Sequence, residues 1–190
     1  MATKSLEEQL ETALRQNAEL RELLKEASMD FLTGLPERRQ FEHRVNEEFS
    51  HIKRHHAAHH FAIFVMDLNH LKAVNDTHGH IAGDHMITEF GKLLKSLMRD
   101  YDMVARCGGD EFMAFLPEEN KKSALLAKER LLAKFEEHRS SMMYFSGVAI
   151  GVASTSDGLG TFEELYNEAD KDMYLHKEAS REVLLLKRRE

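Results

Sequence analysis

The chain has 190 residues, 42% of them hydrophobic, with 33 acidic against 26 basic side chains and a formal charge of -7. That length supports one substantial core with a helical extension and leaves a second full domain cramped. The acidic balance, with no Lys/Arg-rich block outside Lys187-Arg188-Arg189, argues against a nucleic-acid surface, and a single cysteine with no signal-like or bilayer-length apolar run points to a cytosolic or cytosol-facing piece, whatever its parent.

Residues 5–27 read as a polar helix in which Leu6, Leu10, Ala13, Asn17, Leu20, Leu24 and Ala27 recur at alternating spacings of four and three. This is a coiled-coil seam. With Leu10, Asn17 and Leu24 at a positions, the single polar Asn favours a parallel two-stranded pairing; the alternative is a solvated amphipathic helix packed on its own domain. The division expected is residues 1–28 as a dimerisation or signalling helix and 29–190 as the main domain.

A second helix is predicted from Glu37 to about Arg54, ending in the connection His51–His60, which carries five histidines. They lack a partnering Cys or acidic ligand at a recognisable zinc spacing and read as a solvated loop. Phe61-Ala62-Ile63-Phe64-Val65-Met66 is a continuous apolar run, hence a buried strand, and it delivers Asp67 at its C-terminal end. Helical periodicity runs from about Ala82 to Met98 through Ile87, Phe90, Leu93, Leu94 and Leu97.

From Asp102 to Cys107 the chain alternates, turns at Gly108-Gly109, and resumes through Phe112-Met113-Ala114-Phe115-Leu116, which predicts a hairpin over 102–117. Asp110 and Glu111 follow the turn. Glycine lets the backbone turn tightly and a bulky anion approach, and the two carboxylates supply hard oxygen ligands for magnesium. Taken alone, the motif leaves open a metal–phosphate site and an ordinary solvated hairpin tip. Further elements are predicted over Lys121–Glu137 (helix), Met142–Ala153 (β-rich), Thr161 to about Ala179 (helix) and Val183-Leu184-Leu185-Leu186 (a last strand). The resulting order suggests an α/β domain of the α+β type, with a mostly antiparallel central sheet covered by helices.

Gly108-Gly109-Asp110-Glu111-Phe112 is the signature of the GGDEF family of diguanylate cyclases, and the chain resembles that family over nearly all of its length beyond the first helix. Asp30-Phe31-Leu32-Thr33-Gly34-Leu35-Pro36-Glu37-Arg38-Arg39 is similar to the family's opening motif. Asp67-Leu68-Asn69-His70-Leu71-Lys72-Ala73-Val74-Asn75-Asp76, with Gly79-His80 and Gly83-Asp84, resembles its nucleotide-binding block, and Ala169-Asp170 through Met173-Tyr174 to Lys177 and Arg181 its C-terminal phosphate-binding helix.

The resemblance implies a palm-like cyclase fold and a homodimer that condenses two GTP into cyclic di-GMP and two pyrophosphates with Mg2+ or Mn2+. It implies Asp67 and Asp110 as carboxylate ligands, the carbonyl of Leu68 as a further ligand, and Glu111 either on the second metal or activating the 3′-hydroxyl. Backbone amides from His70 through Leu71 to Lys72, the Lys72 ammonium, and the pair Lys177 and Arg181 are implied for the phosphates, with Gly108 and Gly109 beside them. Asn75 and Asp84 match the guanine-recognising pair, and a carboxylate that accepts from N1–H and the 2-amino group favours GTP over ATP. Arg99-Asp100-Tyr101-Asp102 matches the product-inhibition site, with Arg130 as a candidate to complete it. One domain holds one GTP, so two domains must face each other. The rival reading is a catalytically idle module that binds cyclic di-GMP or GTP as a sensor.

The chain departs from the family at Glu37, Asn69, Ser180 and Glu182, where Asn, Asp, Gly and Asn are common. None of these removes an implied metal ligand. Cys107 needs no redox role as a small buried hydrophobe.

Overall fold

The computed structural model describes residues 5, 8–17, 28–55 and 59–187, with side chains to Ser180 except that of His55. Residues 8–17 are helical, with Leu10 and Leu14 exposed. Leu6, Leu20, Leu24 and Ala27 of the expected seam lie outside the described residues.

The main domain contains α1 (Arg38–His55), β1 (Phe61–Leu68), α2 (Leu71–His78), α3 (His80–Leu97), β2 (Met103–Gly108), β3 (Glu111–Pro117), α4 (Lys121–His138), β4 (Val148–Ser154) and α5 (Phe162–Lys187). The strands form one sheet in the order β2-β3-β1-β4, antiparallel at every pairing. Such an arrangement of sheet and covering helices is the expected α+β architecture.

β1 reads as an unbroken apolar run because helices cover both faces of the sheet. Ala62, Phe64, Met66 and Leu68 point into a core with Met86, Phe90 and Leu94 of α3 and Leu131 and Phe135 of α4. Phe61, Ile63 and Val65 point into a second core with Phe41, Val45 and Phe49 of α1 and Leu165, Ala169 and Met173 of α5. Strand alternation therefore places Asp67 on the α1/α5 face.

Both sheet edges are covered. Beside β2, the Arg106 amide donates to the Pro36 carbonyl and Glu37 bridges Arg106 in parallel, so the segment before α1 occupies that edge. Beside β4, α5 satisfies the outward amides with side chains: Ile150 N–H donates to His176 Nδ1 at 3.0 Å and Val152 N–H to Asp172 Oδ2 at 2.9 Å. A Cβ at Gly151 would collide with the α5 backbone at Ala169 and Met173, so glycine there permits the close approach. An edge covered in this way offers no template for another strand.

Three expectations need correction. Val183–Leu186 is not a strand: α5 continues to Lys187, since nothing between Ala179 and Val183 breaks a helix and a four-residue apolar run fits either period. Residues 142–147 are irregular, and β4 begins only at Val148, after Gly147 at φ 133°. The helix expected from about Ala82 runs from His80, but a separate helix α2 that was not expected precedes it, the two parted by Gly79 at φ 85°.

Candidate active site

Asp67 of β1 and Glu111 of β3 are direct register partners. Residues so paired point to the same face with Cβ atoms about 4.5–5.5 Å apart. Asp110 belongs to the intervening turn: Gly108 pairs with Glu111, leaving Gly109-Asp110 as a two-residue loop, and the Asp110 carbonyl accepts from Leu68 N–H at 3.0 Å. Three carboxylates thus gather at one end of the two central strands. Gly108 and Gly109 take φ 129° and 52°, and a Cβ on either would touch nothing within 4 Å, so conformation and not crowding within the chain demands glycine here.

Crowding of like charge has a measurable consequence. Burial raises the Glu111 carboxyl above the usual carboxylate range, and the neighbouring Asp110 and Asp67 charges push it further the same way. A donor set of hard, mutually repelling oxygens fits a divalent cation such as Mg2+ or Mn2+, whose charge relieves that repulsion.

Lys177 of α5 reaches this cluster. Its Nζ lies 2.6 Å from Asp67 Oδ1, both side chains being largely buried, so its partner within the chain is a carboxylate. Arg181 lies one helical turn further along α5; its side chain is outside the described residues. A cavity of about 400 Å³ opens between the cluster and α2, lined by Leu68, His70, Leu71, Lys72, Asp110 and Lys177 among others.

At the far wall of this cavity α2 begins. His70, at φ 65°, is its N-cap and makes no side-chain cap, so the first-turn amides are not claimed by one. The preceding turn is fixed by a loop beside β4: Asn69 N–H donates to the Gly147 carbonyl at 3.0 Å, and Ser146 Oγ donates to the Asn69 carbonyl at 2.7 Å. An open helix N-terminus beside a cationic side chain, here Lys72, suits phosphate.

Asn75 lies in α2 and not on the lining of that cavity. Its carboxamide packs onto Gly83 of α3, where any Cβ would strike it, and its Oδ1 is buried without a partner among the described residues. Asp84 is the next residue and exposed. The glycine therefore brings the two proposed base-recognition residues to one place.

Arg106 is the residue whose role the sequence pattern misses. Its Nη1 is 2.9 Å from Asp30 Oδ2, and its Nε and Nη2 donate to the Gly109 carbonyl at 3.2 and 2.8 Å. One guanidinium thereby ties the turn carrying Asp110 to the opening motif. Burial alone would raise the Asp30 carboxyl, but hydrogen bonds from Thr33 and Arg106 outweigh it and hold it below the usual range.

Arg99, Asp102 and Arg130 do come together, lining a second cavity of about 250 Å³ between α3 and α4. Within it Arg99 Nη1 is 2.9 Å from Glu119 Oε1, and Arg99 N–H donates to Asp102 Oδ2 at 2.9 Å. Asp102 is 5% exposed, and its Oδ1 has no partner among the described residues. Burial raises its carboxyl above the usual value. Glu119, buried and facing Arg99, was not foreseen from the sequence.

A family profile described as "Diguanylate cyclase, GGDEF domain" matches residues 27–183. The chain belongs to the GGDEF diguanylate cyclase family. Among GGDEF relatives it is 31% identical over 160 residues to diguanylate cyclase DgcS of Shewanella oneidensis, covering 84% of this chain and 53% of that protein. It spans about half the length of that relative. Among solved structures it resembles diguanylate cyclase SiaD of Pseudomonas aeruginosa, solved with its activator SiaC, at TM-score 0.71 and 31% identity over 92% of this chain and 68% of that one. It also resembles a microbial GGDEF domain solved for its interaction with cyclic di-GMP, at TM-score 0.64 and 28% identity over 80% and 94%. No helix among the described residues of this GGDEF chain is long and apolar enough to cross a membrane.

Proposed function

We propose that the chain is a cytoplasmic diguanylate cyclase that condenses two GTP into cyclic di-GMP and two pyrophosphates. The observation that carries this reading is the convergence of Asp67, Asp110 and Glu111 at one sheet end, beside the uncapped start of α2. GGDEF diguanylate cyclases are metal-dependent, and Asp67, Asp110, Glu111 and the Leu68 carbonyl are the groups that would hold Mg2+ or Mn2+. Such ions neutralise phosphate charge and favour ionisation of the attacking 3′-hydroxyl.

The rest of the site positions the nucleotide. Amides from His70 to Lys72 and the Lys72 ammonium receive the phosphates, with Lys177 and Arg181 closing from α5. For Lys177 this means exchanging its Asp67 partner for phosphate oxygens. Asn75, whose buried Oδ1 has no partner among the described residues, and Asp84 take the guanine edge, where adenine offers no matching donor pair. The 3′-oxygen of each GTP attacks the α-phosphorus of the other, and each attack breaks the bond to one leaving pyrophosphate. Two domains must therefore face each other, and pairing through residues 5–27 would raise their effective concentration.

Cyclic di-GMP binding at Arg99, Asp102 and Arg130 would provide product inhibition. Arg99 and Arg130 supply cationic donors for phosphate and guanine, and Asp102 Oδ1, without a partner among the described residues, an acceptor for guanine N–H. An idle sensor is the weaker reading, because all three carboxylates of the active site are in place.

The test is substitution at the cluster. Asp110→Ala and Glu111→Ala should each abolish turnover while the protein still binds guanine nucleotide; full activity in either variant would sink the mechanism.

A further inference from the structure

The histidine-rich connection that lacks an acidic partner in sequence acquires one in the fold. Glu48 and His51 stand three residues apart on α1, hence on one face, and His59 comes back against them just before β1. His59 Nε2 is 2.8 Å from Glu48 Oε1, and the His51 and His59 rings lie 5.7 Å apart. One ligand atom from each of the three residues falls within 4.8 Å of the others. We propose that Glu48, His51 and His59 bind a divalent transition-metal ion of the zinc type, at a site separate from the carboxylate cluster.

The donor set argues for that class of ion. Two imidazole nitrogens and one carboxylate oxygen, with a fourth position for water, make a familiar zinc coordination, whereas magnesium and calcium prefer oxygen alone. Net charge points the same way. Arg44 Nη1 pairs with the second carboxylate oxygen, Glu48 Oε2, at 2.8 Å, so the cluster has little net negative charge and offers a hard cation little attraction. Affinity must come from nitrogen coordination, which selects a borderline-soft metal.

Arg44 also orients the ligand. Its guanidinium lies over the Phe115 ring at 4.5 Å from the centroid, and holding Oε2 there leaves Oε1 directed at His59. The Glu48 side chain is 13% exposed, while His51 is exposed, so the ion would meet an anchored carboxylate and an imidazole at the surface. His59 precedes the first residue of β1 by two positions, and Asp67 lies six residues beyond that first residue, about 20 Å along an extended strand. The metal would thus clip the end of α1 to the start of β1 and stabilise the fold by linkage, without touching the nucleotide cavity.

The test uses the full chain without an affinity tag, stripped by chelator and titrated with ZnCl2 against a chromogenic chelator, with millimolar MgCl2 present to occupy the carboxylate cluster. The expected result is one zinc per chain, a rise in Tm on zinc addition, and visible d–d absorption when Co2+ is substituted. His51→Ala alone, at an exposed position, and His51→Ala/His59→Ala should each weaken binding at least about tenfold and remove the Tm rise. His55→Ala/His56→Ala, which removes two other histidines of the same stretch, should leave all three readouts intact. Zinc bound with wild-type affinity by His51→Ala/His59→Ala, loss of binding only in His55→Ala/His56→Ala, or no stoichiometric zinc in the wild type would each overturn the proposal.

Discussion

Asp67 and Glu111 face each other across adjacent antiparallel strands, and Lys177, arriving from α5, sits 2.6 Å from one of the two. On the proposed mechanism, function and stability are opposed at this pair. Above its raised pKa the Glu111 carboxylate is ionised against two like charges, so its contribution to stability is favourable below the ordinary carboxylate value and is lost as pH rises through the raised one. Glu111→Gln should therefore raise the Tm of metal-free protein at pH 7 by about 2 °C, while turnover disappears. Thermal melts in chelator, run beside an activity assay, check both halves; a lower Tm would show that the repulsion does not govern this site.

Arg106 and Asp30 make the opposite case, a buried pair that supports the site. Their side chains are 10% and 13% exposed. Arg106→Ala leaves Asp30 buried and the Gly109 carbonyl without its donors, which should cost about 3 kcal/mol and displace the turn that carries Asp110. Denaturant unfolding should show the loss, and activity should fall even where the variant is fully folded. Because the Asp30 pKa is held down, the pair's contribution is present above the ordinary carboxylate pKa and is lost as pH falls through the lowered value.

How much of this was readable in the chain depends on range. The hairpin and the strand ending at Asp67 were legible because Gly-Gly followed by two acids, and an unbroken apolar run, are local patterns. Asp30 and Arg106 are 76 residues apart, and Arg99 and Glu119 are 20 apart, so no spacing rule connects either pair. The run Val183–Leu186 was ambiguous for a different reason, being too short for its period to separate helix from strand. Lys177 entered through the resemblance as a phosphate ligand, but its pairing with Asp67 depends on α5 crossing the α1/α5 face of the sheet, which only the assembled fold fixes.

His176 gives the domain a pH-sensitive edge. Burial lowers its pKa, the Lys128 ammonium lowers it further, and the Ile150 amide aimed at Nδ1 requires that nitrogen to be unprotonated. A depressed pKa in the folded state means that this stability is present above about pH 6.5, the ordinary histidine value, and is lost as pH falls through the lowered one. Urea unfolding at pH 7.5 and 5.5 should show a larger drop for wild type than for His176→Gln, whose amide oxygen can accept the same bond at either pH. Equal drops would remove His176 from the account.

Product control should be separable from catalysis. Arg130→Ala leaves the Arg99–Glu119 pair and the catalytic cluster untouched, so initial rates should stay near wild type while the concentration of cyclic di-GMP needed for half-inhibition rises about tenfold. Asp102→Asn, which removes the buried acceptor charge, should act in the same direction. Unchanged inhibition in both variants would move the product site elsewhere.

The central claim, that the carboxylate cluster and the cavity beside it join two GTP molecules, is met most directly by product analysis. Purified chain stripped of nucleotide is incubated with Mg2+ and GTP, with ATP alone and with both, and the products are separated and weighed by mass spectrometry. The account predicts cyclic di-GMP and pyrophosphate from GTP and no cyclic dinucleotide from ATP alone. Dimeric protein that binds GTP and forms no cyclic dinucleotide would contradict it.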